Sequence, residues 1–267
     1  MAAPEGRDEL LCERADGVLR VVVNRPEKRN ALSRTLLADL RAAFLAASED
    51  ETLRLAILTG AGDKSFAAGG DLRDLSSVRT EEEARQMSLD ARAALDAIRD
   101  FPVPVIAGLN GDALGGGAEL AAACDFRVAA GHARIGFVQG RLGVSTAWGG
   151  GIDLINILGP TKALRLLATA RVLDAREAME TGFVDAVAGE GEHEGCDLDA
   201  ATQAFAAPML KQAPQVLRAF KALSVAARRG EGRAGLEAIE NARFARTWIH
   251  DDHWAAADAV LKGSRHR

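Results

Sequence analysis

Apolar positions in the first half of the chain switch between two periods. Residues 18–24 form a compact, β-branched run that predicts a strand, and Leu36, Leu37, Leu40 and Phe44 then recur at helical spacing across residues 33–47. Residues 53–59 return to strand-like alternation and stop at Gly60-Ala61-Gly62. Thr80-Glu81-Glu82-Glu83 has the form of a capping box and predicts a helix reaching about Phe101. Pro102 and Pro104 then open a strand over 103–108. A short strand at 126–129 precedes a loop from Gly140 to Gly151 and helical pieces at 152–158, 161–168 and 174–181. Residues 189–196 make a polar break, and everything beyond has helical periodicity: about 198–212, 214–229, 235–250 and a last helix to Leu261. Strands interleaved with helices, then helices alone, predict an α/β core over 1–195 and a helical C-terminal region over 196–267. No repeat of fixed period is visible.

Composition narrows the class of protein without naming it. Of the 267 residues, 48% are hydrophobic and 27% charged, as in an ordinary globular protein with material for a sizeable core. The 33 basic and 38 acidic residues leave a net charge of -5, which gives no electrostatic reason to expect nucleic acid. Cys12, Cys124 and Cys196 are far apart and lack metal-binding spacing, so neither a disulfide framework nor a zinc site is expected. Met1 to Leu11 is short and charged, and no apolar run approaches membrane-span length, so a cytoplasmic protein without a membrane partner is expected. There is no tyrosine, hence no phenol to act as acid or oxyanion donor.

Two glycine loops each follow a strand and precede a helix: Ala68-Gly69-Gly70-Asp71 and Gly115-Gly116-Gly117. Neither has dinucleotide-binding or phosphate-loop spacing, and no nucleophile elbow occurs. They are either two tight turns or two sources of backbone amides converging on one oxygen. Glu119 lies one turn into the Ala/Leu-rich helix after the second loop, where an acid either caps the helix or does chemistry. Asp71 and Asp74 suit the cap of the turn that follows the first loop. His250 and His253 flank two aspartates but have no third ligand in view, so an exposed helix start is expected there and no metal. Cys124 suits a small core position.

Taken in order, several stretches resemble the crotonase superfamily, also called the enoyl-CoA hydratase/isomerase family, over nearly the whole chain. They are Asn24-Arg25-Pro26-Glu27-Lys28-Arg29-Asn30-Ala31-Leu32, Phe66-Ala67-Ala68-Gly69-Gly70-Asp71-Leu72 and Gly111-Asp112-Ala113-Leu114-Gly115-Gly116-Gly117-Ala118-Glu119-Leu120. Cys124-Asp125-Phe126-Arg127, Leu158-Gly159-Pro160, Asp174-Ala175-Arg176-Glu177-Ala178 and Gly182-Phe183-Val184 continue the likeness. The resemblance implies a spiral of ββα units, a C-terminal helical trimerisation region, and a homotrimer or hexamer. It also implies an acyl-CoA thioester substrate, with coenzyme A as part of the substrate and no separate cofactor. Carried over, the N–H groups of Gly70 and Gly116 hold the thioester oxygen as it gains enolate character, a donor typically worth about 3–4 kcal/mol. Ala68 and Asp71 fall in the same substrate-binding loop. Lys28, Arg29 and Arg73 fall where family members contact the nucleotide of coenzyme A.

The chain departs from the pattern at the second acid. Hydratases of this family use two glutamates; the first matches Glu119, and aligning Gly136 with Leu142-Gly143 puts the second at Gln139. A glutamine can hydrogen-bond water but cannot exchange a proton. A dehalogenase-like aspartate, expected near Ala147, is absent. The stretch Arg141-Leu142-Gly143-Val144-Ser145-Thr146-Ala147-Trp148-Gly149-Gly150 looks more like the ethylmalonyl-CoA decarboxylase branch, with Trp148 either an acyl-pocket wall or plain core. The expected activity is therefore an acyl-CoA lyase, hydratase-like on a 2-enoyl-CoA, with decarboxylation of a substituted malonyl-CoA as the alternative. A non-catalytic acyl-CoA- or RNA-binding member is a further alternative, disfavoured by the retained glycines, Glu119 and the acidic charge.

Overall fold

The structure, a computed structural model, describes residues 9–264. The chain opens with a hairpin of β1 (Leu10–Ala15) and β2 (Val18–Val23), turned by Asp16 and Gly17, both at positive φ. Helix α1 (Arg34–Ser48) follows, its first turn capped by Ser33, whose Oγ accepts from the Leu36 amide at 3.2 Å. Three ββα units come next. The first is β3 (Leu55–Gly60), β4 (Ser65–Ala67) and α2 (Glu81–Arg99). The second is β5 (Val105–Leu109), β6 (Asp112–Leu114) and α3 (Gly116–Ala123), and the third is β7 (Phe126–Ala129), β8 (Arg134–Gly136) and α4 (Gly150–Leu158). Helix α5 (Pro160–Thr169), β9 (Leu173–Asp174), α6 (Ala175–Thr181) and β10 (Ala186–Val187) complete the sheets. Four helices close the chain: α7 (Leu198–Leu210), α8 (Pro214–Arg228), α9 (Arg233–Trp248) and α10 (Asp251–Ser264).

Each unit gives its first strand to one sheet and its second to another. The larger sheet runs β1-β2-β3-β5-β7-β10, parallel from β2 onward, and the smaller runs β4-β6-β8-β9, parallel except at its last pair. The repeat is therefore structural rather than periodic in sequence, because the units differ in length. Strand β3 is buried on both faces, which is why it reads as a continuous apolar run. Its Ala56 and Leu58 face the main core with Leu40, Phe44 and Leu95, while Leu55 and Ile57 face the opposite side, under Ala201 and Ala206 of α7.

Several sequence expectations are adjusted by these contacts. The predicted helix ends at Arg99 rather than Phe101, and the loop from Gly140 to Gly151 contains a 3-10 turn at Gln139–Leu142 and the start of α4. The polar break does precede the terminal helices, yet α7 packs back onto the large sheet as part of the second core. Helices free of the core begin later: α9 buries no residue, and Phe244 and Trp248 of α9, Ile249 in the link and Trp254 of α10 are exposed. Among the described residues no helix is long and apolar enough to cross a membrane. The reading of Met1 to Leu11 as a non-leader falls mostly on residues 1–8, outside the described residues.

Candidate active site

The small sheet organises the site. Strands β4, β6 and β8 lie side by side and parallel, so the segments leaving their C-terminal ends are neighbours. From β4 comes the loop with Gly70, from β6 the loop and helix with Gly116 and Glu119, and from β8 the turn with Gln139. The first loop is held from below. Leu32 donates its amide to Gly69, Asp71 donates to Leu32 at 2.9 Å, and Ala68 donates to Arg29 at 3.1 Å. Asn30, buried in a left-handed conformation, donates through Nδ2 to the carbonyls of Ala61 and Ser65 and accepts the Arg25 amide. Asp71 is committed to this frame, accepting from Arg25 Nη2 at 3.0 Å and from the amides of Arg73 and Asp74. Lys28, Arg29 and Arg73 stand exposed on the two segments that flank Gly70.

The two glycine loops meet against one side chain. A Cβ on Gly116 would lie 2.3 Å from Trp148 Cζ3, and one on Gly70 would lie 3.4 Å from Trp148 Cη2. The edge of the Trp148 indole thus lies against both glycines; at Gly116 only the lack of a side chain lets it approach, whereas at Gly70 the tight neighbour of a Cβ would be Leu75 Cδ1 at 2.9 Å. Gly116 is the first residue of α3, so its amide has no acceptor within the helix, and the Gly70 amide makes no bond to another backbone group among the described residues. Trp148 also lines a cavity of about 360 Å³ together with Leu37 of α1, Leu75, and Met87 and Ala91 of α2.

Glu119 is 2% exposed, and both its carboxylate oxygens are held. Oε1 accepts from Gln139 Nε2 at 2.8 Å; Oε2 accepts from the amides of Trp148 and Gly150, each at 2.9 Å. Gly150 is another enforced glycine, since a Cβ there would lie 2.4 Å from Glu119 Cγ. Burial pushes the Glu119 carboxyl above the ordinary glutamate value, and the Gly150 amide, Gln139 side chain and Trp148 amide pull the other way without cancelling it. A buried carboxyl whose pKa is raised in this way is a candidate acid–base group. Gln139 Oε1 is buried and has no hydrogen-bond partner among the described residues.

The remaining candidate groups are engaged elsewhere. Burial pushes the Cys124 thiol up to about 12, which removes it as a nucleophile. His250 accepts the Asp252 amide just before α10, and His253 stacks on Trp248 with ring centroids 4.5 Å apart. Sequence reasoning missed Ser88, Arg92 and Arg99. All three lie on α2 and grip the loop that carries Trp148, at separations of 49 to 59 residues that leave no local signal.

The geometry agrees with comparison to known proteins. A family model described as enoyl-CoA hydratase/isomerase matches residues 13–259. The chain is 38% identical over 180 residues to a crotonyl-CoA hydratase from Syntrophomonas wolfei, covering 67% of this chain and 69% of that one. It is 34% identical over 185 residues to a short-chain-enoyl-CoA hydratase from Clostridium acetobutylicum, covering 69% and 70%. The crystal structure of an enoyl-CoA hydratase from Bacillus anthracis superposes with a TM-score of 0.86 at 30% identity, covering 96% of this chain and 97% of that one. With a family model matched over residues 13–259 and a fold of ββα units that brings two glycine loops and a buried glutamate together, this chain belongs to the enoyl-CoA hydratase/isomerase family.

Proposed function

We propose that the protein hydrates a short-chain 2-enoyl-CoA, with Glu119 as the sole proton-carrying group. The observation that carries this reading is the Glu119 carboxylate, buried and held on both oxygens, one of them by the amide of Trp148, whose ring lies against Gly70 and Gly116. In the proposed reaction the amides of Gly70 and Gly116 form an oxyanion hole for the thioester oxygen. Water adds its oxygen to C3 as Glu119 takes one of its protons; the C2–C3 π electrons move into the thioester as an enolate. Glu119 then returns the proton to C2, so that the elements of water are added and the carboxylate is regenerated. Gln139 cannot share this proton, and its unpartnered Oε1 is suited to accept a hydrogen bond from the attacking water. Lys28, Arg29 and Arg73 are proposed to meet the phosphates of the coenzyme A moiety. Hydratase names among the relatives support the reading.

Decarboxylation of a substituted malonyl-CoA is the second reading, favoured by Gln139 standing where a second acid would be. Here the bond from C2 to the carboxylate breaks, carbon dioxide leaves, and the electron pair enters the same enolate, which Glu119 protonates. The two readings need opposite forms of Glu119. Incubating the protein with crotonyl-CoA and, separately, with ethylmalonyl-CoA and methylmalonyl-CoA, with products followed by mass, is expected to give 3-hydroxybutyryl-CoA and no loss of carbon dioxide. Hydration requires the carboxylate, so its rate falls as pH drops through the raised Glu119 value. Carbon dioxide release without hydration, with a rate that falls as pH rises, would instead establish the decarboxylase.

Assembly is part of the same proposal. The exposed aromatic and aliphatic side chains of α9 and α10 fit a homotrimer or hexamer interface. Light scattering is expected to give three or six protomer masses, and a monodisperse monomer at micromolar concentration would remove assembly from the reading.

A further inference from the structure

The peptide between Ala147 and Trp148 faces two ways. Its N–H donates to Glu119 Oε2 at 2.9 Å, and its C=O accepts from Ser88 Oγ at 3.0 Å and from Arg92 Nη2 at 3.1 Å. Ser88 and Arg92 are four residues apart on one face of α2, so both reach the same carbonyl. The next carbonyl, that of Trp148, accepts from Arg99 Nη2 at 2.8 Å, seven residues further along the same face. Helix α2 therefore holds two consecutive carbonyls of the segment whose amides hold Glu119.

The charges around Arg92 make its role specific. It lines a cavity with Asp96, Arg99, Asp100, Asp153, Arg228 and Arg229. Each of those carboxylates already has a guanidinium: Asp96 pairs with Arg99, Asp153 with Arg99 and Arg228, and Asp100 with Arg229. Arg92 forms no ion pair among the described residues, and its Nε is buried without a partner. Its charge acts on the Ala147 carbonyl instead. A cation on a peptide oxygen polarises that peptide and strengthens its N–H as a donor to an anion. Among the described residues no cation contacts Glu119 directly; its partners are the amides of Trp148 and Gly150 and the Gln139 side chain.

We propose that Arg92 and Ser88 are positioning residues for the Glu119 carboxylate, acting through the Ala147–Trp148 peptide they share with it. The proposal rests on Glu119 being the proton carrier of the function above, but its first test needs no substrate. The full-length protein, labelled with 13C at glutamate Cδ, gives a carboxyl resonance for Glu119 that is identified by its loss in Glu119→Gln. Titration by NMR then reads its midpoint directly. Arg92→Ala is expected to raise that midpoint by about 0.5–1 pH unit, the worth of one hydrogen bond expressed as a titration shift. Ser88→Ala should raise it by less, and Arg92→Lys, which keeps the charge, should restore most of the wild-type value. In turnover assays the acid limb of kcat should move by the same amount as the midpoint, with KM changed about 2-fold or less. An unchanged midpoint in Arg92→Ala and Ser88→Ala, with native circular dichroism, would overturn the proposal. Should Arg92→Ala not fold, the Ser88→Ala midpoint decides alone: a rise supports the proposal, and a wild-type value overturns it. Absence of turnover on any thioester would refute the functional reading while leaving the midpoint measurement intact.

Discussion

Glu119→Gln is expected to lower turnover about 10²–10⁴-fold, the usual share of a general acid–base group, while leaving the fold in place. The substitution is nearly isosteric, and the local hydrogen bonds can re-form around it. A glutamine oxygen at the Oε2 position still accepts from Trp148 and Gly150. Its amide nitrogen would face Gln139 Nε2, a donor against a donor, but the Gln139 amide can rotate by half a turn and present the Oε1 that has no partner now. The loss is then confined to the proton. Stability should move the other way. A carboxyl whose native pKa lies above its unfolded one binds its proton more tightly when folded, so it lowers stability as pH rises from the unfolded value to the native one. Removing it makes the variant as stable as wild type below the ordinary glutamate range and more stable at neutral pH. Urea melts at the two pH values read the stability, and hydration of crotonyl-CoA reads the activity. Wild-type turnover in the variant would remove Glu119 from the mechanism.

The same pocket shows what a single sequence can and cannot disclose. The long amphipathic helices α1, α2 and α8 are legible from periodicity, and capping signals make the starts of α1 and α2 legible too, because these signals are local. Glu119 and the glycines stand out for a similar reason: an acid in an Ala/Leu helix and three successive glycines break their surroundings. The small sheet is not legible. Strands β4, β6 and β8 have three residues each, too few for a period to register, and they exist because neighbours in space complete their ladders. Strand β1 is equally hidden because its last four residues, Cys12 to Ala15, are exposed and carry charges, as an edge strand tolerates. Gln139 emerges only through register against Gly143, and the structure brings its side chain to 2.8 Å from Glu119. Arg92 has no signal of any kind. Its hydrogen bond goes to a carbonyl 55 residues away, a contact that only the tertiary fold creates.

Among the described glycines, Gly117→Ala is expected to be the most destructive added methyl. A Cβ there would lie 1.8 Å from the Ala67 carbonyl oxygen and 2.6 Å from its carbon, and both belong to backbone at the end of β4. Relief requires α3 to separate from β4, which pulls Gly116 and Glu119 away from Gly70 at once. Overpacking a core typically costs about 1–3 kcal/mol when side chains can shift. Here no side chain can absorb the methyl, so a loss of about 3 kcal/mol or more is expected, against a total of about 5–15 kcal/mol for a typical domain. Gly116→Ala provides the control. Its methyl would meet the Trp148 ring, which is a side chain and can be truncated. In a double-mutant cycle, Gly116→Ala and Trp148→Ala should couple favourably by about 1–3 kcal/mol, because removing the ring removes the clash. Gly117→Ala should find no such relief from Trp148→Ala, since its obstacle is the Ala67 peptide. Urea midpoints of the single and double variants measure all of these terms. A folded Gly117→Ala protein with the wild-type midpoint would mean that β4 and α3 are not in the close contact that holds the two glycine loops together.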